Sequence, residues 1–239
     1  MKQKVLFLSA ILISLITSSC IFSPSIKGNG NVEKQTRNVR EFDEIKVSRG
    51  MNVYITQGDE TKVVVEADEN LLSHIETENK GGVLEISARS NIRHAKAKKV
   101  HVTTPNLMAL RAFAGSNVYS ENTISTGQIE ISASAGSNIK LELQAQKTKA
   151  SASAGSNVTL KGTANSFEGK ASSGSNIKAK DLTVESCEAK TSSGANIWIT
   201  TEKSLSGSAN SGGNIFYYGN PQNKDINRSS GGNVIEKED

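Results

Sequence analysis

Through the second half of the chain, apolar or small residues alternate with polar ones at a strict period of two. Ile129, Ile131 and Ala133 alternate with Glu130, Ser132 and Ser134, and Thr148, Ala150 and Ala152 alternate with Lys149, Ser151 and Ser153. Phe167, Gly169 and Ala171 alternate with Glu168, Lys170 and Ser172, and the same apolar parity continues in Cys187, Ala189 and Thr191 and in Leu205, Gly207 and Ala209. Such alternation marks strands with one face on a core and one in water. Ile139 and Leu141, Val158 and Leu160, and Ile197 and Ile199 take the inward parity in further segments, with Lys140, Thr159 and Trp198 pointing out. Phe167 is followed by Gly169 and Leu205 by Gly207, so bulk and space trade places, as filling a narrow core requires.

These segments are divided by a repeated motif. It reads AGSNV at 114–118, AGSNI at 135–139, AGSNV at 154–158, SGSNI at 173–177, SGANI at 193–197, SGGNI at 211–215 and SGGNV at 230–234. The glycines are spaced by 21, 19, 19, 20, 18 and 19 residues, and a degenerate copy, RGMNV, lies at 49–53. Such a period leaves no room for two helices and a turn. At about 3.3 Å per residue it traces a loop roughly 60 Å around, one coil of a β-helix. Coils would hydrogen-bond to one another at about 4.8 Å, and none could bury its apolar face alone. The fold class expected is therefore all-β: a parallel β-helix, or solenoid, with coils of about 19–20 residues. The Gly-Ser-Asn triplet reads as the corner, because glycine and asparagine tolerate left-handed backbone angles. Stacking would bring Asn52, Asn117, Asn138, Asn157, Asn176, Asn196, Asn214 and Asn233 into one hydrogen-bonded amide ladder.

The N-terminal part is less regular. Residues 20–38, with Ser23, Pro24, Gly28, Asn29 and Gly30, read as a flexible tether. Residues 39–239 read as a single solenoid domain, with irregular N-terminal coils and a cap over 39–112 and regular coils over 113–239. Glu69 to Ile75 suggests one or two helical turns. About three coils and an excursion are expected between Gly50 and Gly115. In the last period the inward parity falls on Lys224, Arg228 and Glu236, as in the polar terminal coil of a solenoid.

Lys2 and Lys4, the apolar run Val5 to Ile16 and small residues up to Ser19 form an export signal over 1–19, too short to span a bilayer. The small residues before Cys20 resemble a bacterial lipobox, with Thr17 where leucine is more common; the resemblance implies lipidation at Cys20. The only other cysteine is Cys187, so no disulfide framework is available and the core must hold the fold. Losing Lys2 and Lys4 lowers the formal charge from +4 to +2, which gives no support for nucleic-acid binding.

The Gly-x-Asn-[Ile/Val] repeats, together with FDEIKVSRGMNVYITQG at 42–58, resemble the bacterial family described as “putative auto-transporter adhesin, head GIN domain” over roughly residues 40–235. The resemblance implies a β-helical envelope domain, with adhesion as a name given by analogy.

Three features carry candidate chemistry. The run Arg89, Arg93, Lys96, Lys98 and Lys99, with His94 among them, suits acidic glycans, phosphates or anionic headgroups, or else a solvated loop. Trp198 and Phe216 share one outward offset from their motif asparagines, and Tyr218 follows on the same side. They suit a sugar, a protein partner or self-association, or else lie under a cap. Cys187 falls in the inward row and reads as a buried, inert thiol. His74, His94 and His101 have no metal-ligand spacing, so no metal and no cofactor are expected. The leading function is a non-enzymatic, lipid-anchored adhesion or scaffold module of the cell envelope that contacts a glycan or envelope protein. The alternative is a polysaccharide-active lyase or hydrolase, which needs clustered carboxylates or Arg/Lys pairs on one outward sheet. Ile21, Phe22 and Ser23 lack the acidic residues that follow the cysteine in some surface-displayed lipoproteins. Their absence points to an outer-membrane location facing the periplasm, with surface display as the alternative.

Overall fold

The computed structural model describes residues 25–238; the signal segment and Cys20 lie outside the described residues. The N-terminal part holds β1 (Ser25–Lys27), β2 (Val32–Arg37), β3 (Glu44–Val47), β4 (Asn52–Gln57) and β5 (Lys62–Asp68), then a 3-10 turn over Glu69–His74. It continues through β6 (Ile75–Lys80), β7 (Val83–Ala88), β8 (Asn91–Arg93), β9 (Lys98–Thr104) and β10 (Ala109–Ala112). The regular coils are long bent strands: β11 (Asn117–Ala133), β12 (Asn138–Ala152), β13 (Asn157–Ala171), β14 (Asn176–Thr191) and β15 (Asn196–Ala209). The last coil comprises β16 (Asn214–Tyr218), β17 (Asn223–Arg228) and β18 (Asn233–Glu236).

The result is a β-solenoid of about seven turns. Neighbouring coils pair in parallel, motif on motif: Asn117 with Asn138, then Asn157, Asn176, Asn196, Asn214 and Asn233. One residue further on, Val118, Ile139, Val158, Ile177, Ile197, Ile215 and Val234 stack into a buried aliphatic column. Each such side chain contributes about 1.5–3 kcal/mol by leaving water. The bulk-for-space exchange is physical: a Cβ at Gly169 would lie 2.6 Å from the Phe167 ring.

The corner differs from the expectation in one respect. Its left-handed residues are the glycine and the residue before it, not the glycine and the asparagine. Ala114, Ala135, Ala154, Ser173, Ser193, Ser211 and Ser230 have φ between 46° and 53°, and the glycines after them lie between 67° and 75°. Two consecutive positive φ angles closed by an i to i+3 hydrogen bond, such as Ser137 N to Ser134 O at 3.3 Å, are the signature of a type I′ turn. The asparagine already belongs to the next strand. Left-handed alanine or serine costs about 1 kcal/mol or more. Stacking compensates, because each corner glycine N–H donates to the next corner, as Gly136 does to Ala154 O at 3.0 Å. The corner serines are buried and form a second ladder: Ser137, Ser156 and Ser175 Oγ donate to carbonyls of the preceding coil at 2.7–2.8 Å.

Unequal glycine spacings are absorbed away from the corner. Pairing slips between Tyr119 and Thr123, between Thr159 and Gly162, and between Ala179 and Thr183. At Gly162, with φ of 111°, a Cβ would lie 2.0 Å from Leu143 O, so only glycine fits that bend.

The N-terminal coils are stacked out of chain order. The coil carrying β7 and β9 packs outside the one formed by β3 and β4, which in turn meets β10 and β11. Antiparallel β2, β5 and β6 then close this end. The tether reading fails from Ser25 onward, because β1 pairs with β8 and β2 with β5. The cause is Asp68, a fully buried carboxylate that accepts from Gly30 N at 2.8 Å and Ala97 N at 2.9 Å. Gly28 provides room rather than looseness, since a Cβ there would lie 2.0 Å from Asp68 Oδ2. At the other end Tyr217 is buried and donates to Glu236 at 2.6 Å; Glu236 also pairs with Lys224 at 3.3 Å. Lys224 and Arg228 are exposed on β17, so this end is a polar lid.

Candidate binding surfaces

One outward row runs the length of the stack, two residues after each motif asparagine. In spatial order it reads His101, Tyr54, Tyr119, Lys140, Thr159, Lys178, Trp198, Phe216 and Ile235. Rungs about 4.8 Å apart bring planar side chains into van der Waals stacking. Trp198 and Phe216 are half-buried, with ring centroids 5.2 Å apart and planes 18° from parallel. Ile235, the next rung, is 37% exposed. Tyr218 is half-buried on the same side of β16, and the Lys180 ammonium lies 4.4 Å from its ring centre. The three sequence candidates thus come together on one face, with Lys237 5.5 Å from the Phe216 ring.

A second aromatic stack stands at the other end of that row. Tyr54 lies between His101 and Tyr119 at 5.3 and 5.4 Å. Sequence reasoning missed it, although Tyr54 and Tyr119 sit at the same motif offset as Trp198. His101 carries no motif before it and could not be placed from the sequence.

The asparagines form one continuous ladder. Each Nδ2 donates to the Oδ1 of the coil before it, from Asn117 to Asn52 through Asn233 to Asn214, at 2.9–3.0 Å. Each interior asparagine therefore commits one amide N–H and one lone pair of its oxygen to the ladder.

The basic run is not one loop. Arg93 lies on β8, Lys98 and Lys99 on β9, and Lys96 is exposed between them. Arg89 is tied to Glu76 at 2.6 Å and Lys99 to Glu66 at 3.1 Å, which removes both from a common anion site. Lys98 has no ion-pair partner among the described residues, and burial pushes its pKa down. It lines a cleft of about 570 Å³ with Arg49, Arg89 and Asn91.

Cys187 is buried and free, its thiol pushed up to about 12 by desolvation, so it is un-ionised at neutral pH. On the outward rows, the hydrogen bond from Lys161 holds Glu142 low, and that from Lys170 holds Glu168 low. A shallow trough of about 340 Å³ crosses the sheet before the corner, lined by Ser151, Ser153, Ser172 and Ser192 with Lys170 and Lys190. Among the described residues no group of three or more His, Cys, Asp or Glu is placed to hold a metal. Nor is any helix there long and apolar enough to cross a membrane.

Solved structures share this architecture. One described as a “putative adhesin” from Bacteroides fragilis superposes with a TM-score of 0.81 at 23% identity, covering 89% of this chain and all of that one. A “putative lipid binding protein” from Parabacteroides distasonis gives 0.69 at 21% identity, covering 89% of this chain and 100% of the other. A “putative adhesin” from Parabacteroides merdae gives 0.65 at 18%, covering 89% and 99%. No curated protein matches the chain. The sequence model described as “Putative auto-transporter adhesin, head GIN domain” matches residues 41–221, which contain all but the last of the motif corners. On that match, over far more than half its length, this chain belongs to the head GIN domain family.

Proposed function

We propose that the chain is a non-enzymatic, lipid-anchored adhesion module of the bacterial envelope. It engages a glycan or envelope protein through the outward aromatic row. The observation that carries this reading is the parallel stack of Trp198 and Phe216 on an open sheet, continued by exposed Ile235. Flat aromatic faces suit sugar rings and apolar protein side chains, and this half-buried stack runs directly into the exposed Ile235 rung. Family membership and adhesin-named neighbours point the same way. A polysaccharide-hydrolysing site would need one carboxyl held protonated beside another that is ionised. Glu142 and Glu168 are instead both shifted down by their lysine partners, which favours the binding reading.

The test is a glycan and envelope-protein binding screen of native protein and of the double variant Trp198→Ser/Phe216→Ser, beside turnover assays on acidic polysaccharides. The variant should fold normally and lose at least tenfold in affinity for the partner that the native protein selects. Unfolding of the variant, or native Trp198 fluorescence typical of a fully buried indole, would show these rings to be core. Turnover would favour the enzyme. Lipidation at Cys20, with the outer membrane as destination, is part of the same reading. Fatty-acid labelling should disappear in Cys20→Ala, and labelling that survives would sink it.

A further inference from the structure

The basic residues gather where the described chain begins. β1 pairs with β8 in register, Ser25 opposite Asn91, Ile26 opposite Ile92 and Lys27 opposite Arg93. Like charges placed directly across a strand pair repel. Neither Lys27 nor Arg93 has an ion-pair partner among the described residues, and both are exposed, as is Lys96. The cleft beside Asn91 adds Lys98, half-buried without an acid, and Arg49, whose guanidinium donates to the carbonyls of Ala88 and Arg89 at 2.8 and 3.1 Å and lies near enough to Glu76 for its charge to help hold that carboxyl low. Two of the acids at this end are paired with cations, while Asp68, Glu69 and exposed Glu33 on β2 keep their charge. Glu76 holds Arg89, Glu66 holds Lys99 and Lys34, Asp68 is buried on backbone amides, and Glu69 accepts from Asn29 and Asn31. Lys27, Arg49, Arg93, Lys96 and Lys98 outnumber the acids left without a cationic partner, Glu33, Asp68 and Glu69, and give this end face a net positive charge.

The chain's geometry says what meets that face. Cys20 lies five residues before Ser25, so a lipid on it can be at most roughly 18 Å from the β1–β8 pair. The opposite pole is remote: six rungs separate β9 from β15, which puts Trp198 roughly 29 Å further along the axis. We infer that the basic end around β1 and β8 docks on the anionic phosphate headgroups of the anchoring membrane, standing the solenoid upright with the Trp198–Phe216 stack pointing away. The lipid would tether the chain and the basic face would orient it, each cation near the surface strengthening partitioning by about fivefold.

The orientation rests on lipidation at Cys20, but the docking can be measured without it. A chain starting at Ile21 lacks the cysteine yet keeps every described strand and the whole described core. It is spun down with vesicles of phosphatidylcholine alone or with about 30% phosphatidylglycerol. Binding should require the anionic lipid and fall away towards ~1 M salt, where charges are screened within a few ångströms. The triple variant Lys27→Glu/Arg93→Glu/Lys96→Glu, with unchanged circular dichroism, should partition at least tenfold less. Equal binding to neutral vesicles, an unaffected triple variant, or displacement by a few millimolar inorganic phosphate at constant ionic strength would each overturn the docking. The last outcome would mark a discrete anion site instead. Absence of fatty-acid labelling on the native chain, with vesicle binding intact, would instead sink the anchor and leave the docking standing.

Discussion

The regular coils and the N-terminal cap solve the same problem by opposite means. From β11 to β18 the framework contacts recur once per coil: one amide bond in the asparagine ladder, one type I′ corner, one aliphatic rung. In the cap almost every contact occurs once. Among the described residues, nine of the sixteen close contacts between basic and acidic side chains, His101–Glu66 included, lie within residues 25–112. Exposed pairs of this sort contribute at most about 1 kcal/mol each. The cap therefore depends on its buried β-strands and on the single buried carboxylate of Asp68. A repeated interface distributes stability, whereas a unique one concentrates it.

Three changes separate the two regions. The largest effect is expected in the stack: Phe167→Ala empties a buried ring site in a middle coil and should cost about 3–5 kcal/mol by denaturant midpoint. A value near zero would mean that the inner rows are misassigned. In the cap, Asp68→Asn should cost about 1–3 kcal/mol, because the amides of Gly30 and Ala97 would face an acceptor without its charge. Burial pushes the Asp68 carboxyl up, but its backbone N–H partners outweigh that and leave its pKa below the ordinary value. Its stabilisation is then present above the unfolded pKa of about 3.9 and lost as pH falls below it. Hydrogen exchange should show β1, β2 and residues 95–97 losing protection on acidification while β12–β14 keep theirs, and the variant should abolish that contrast. The smallest effect belongs to the ladder. Asn157→Ala breaks two inter-coil amide bonds on a half-buried side chain and should cost about 1 kcal/mol. The outward control Ser172→Asn should stay within about 0.5 kcal/mol.

This contrast also explains what could be read from the sequence. Translational repetition writes itself into the chain, so the period, the inward rows, the asparagine column and the meeting of Trp198 with Phe216 follow from counting. The left-handed partner of each corner glycine was misplaced because alanine and serine carry no intrinsic sign of positive φ; stacking imposes it. The cap was legible only in outline. Nothing in the spacing of Gly28, Asp68 and Ala97 links them, and a Gly-Asn-Gly stretch looks the same whether it is loose or packed around a carboxylate. The splitting of the basic run between Glu76, Glu66 and free cations likewise depends on antiparallel pairings without sequence period.

The stacking direction has a mechanical consequence. The hydrogen bonds between coils lie along the solenoid axis, so tension between its two ends loads them in peeling rather than in shear. A coil about 4.8 Å thick would unwind into roughly 60 Å of extended chain before the next one yields. Pulled from its poles, such a molecule lengthens in discrete steps and dissipates work at each. It would behave as an extensible spring between whatever it is fixed to and whatever it holds.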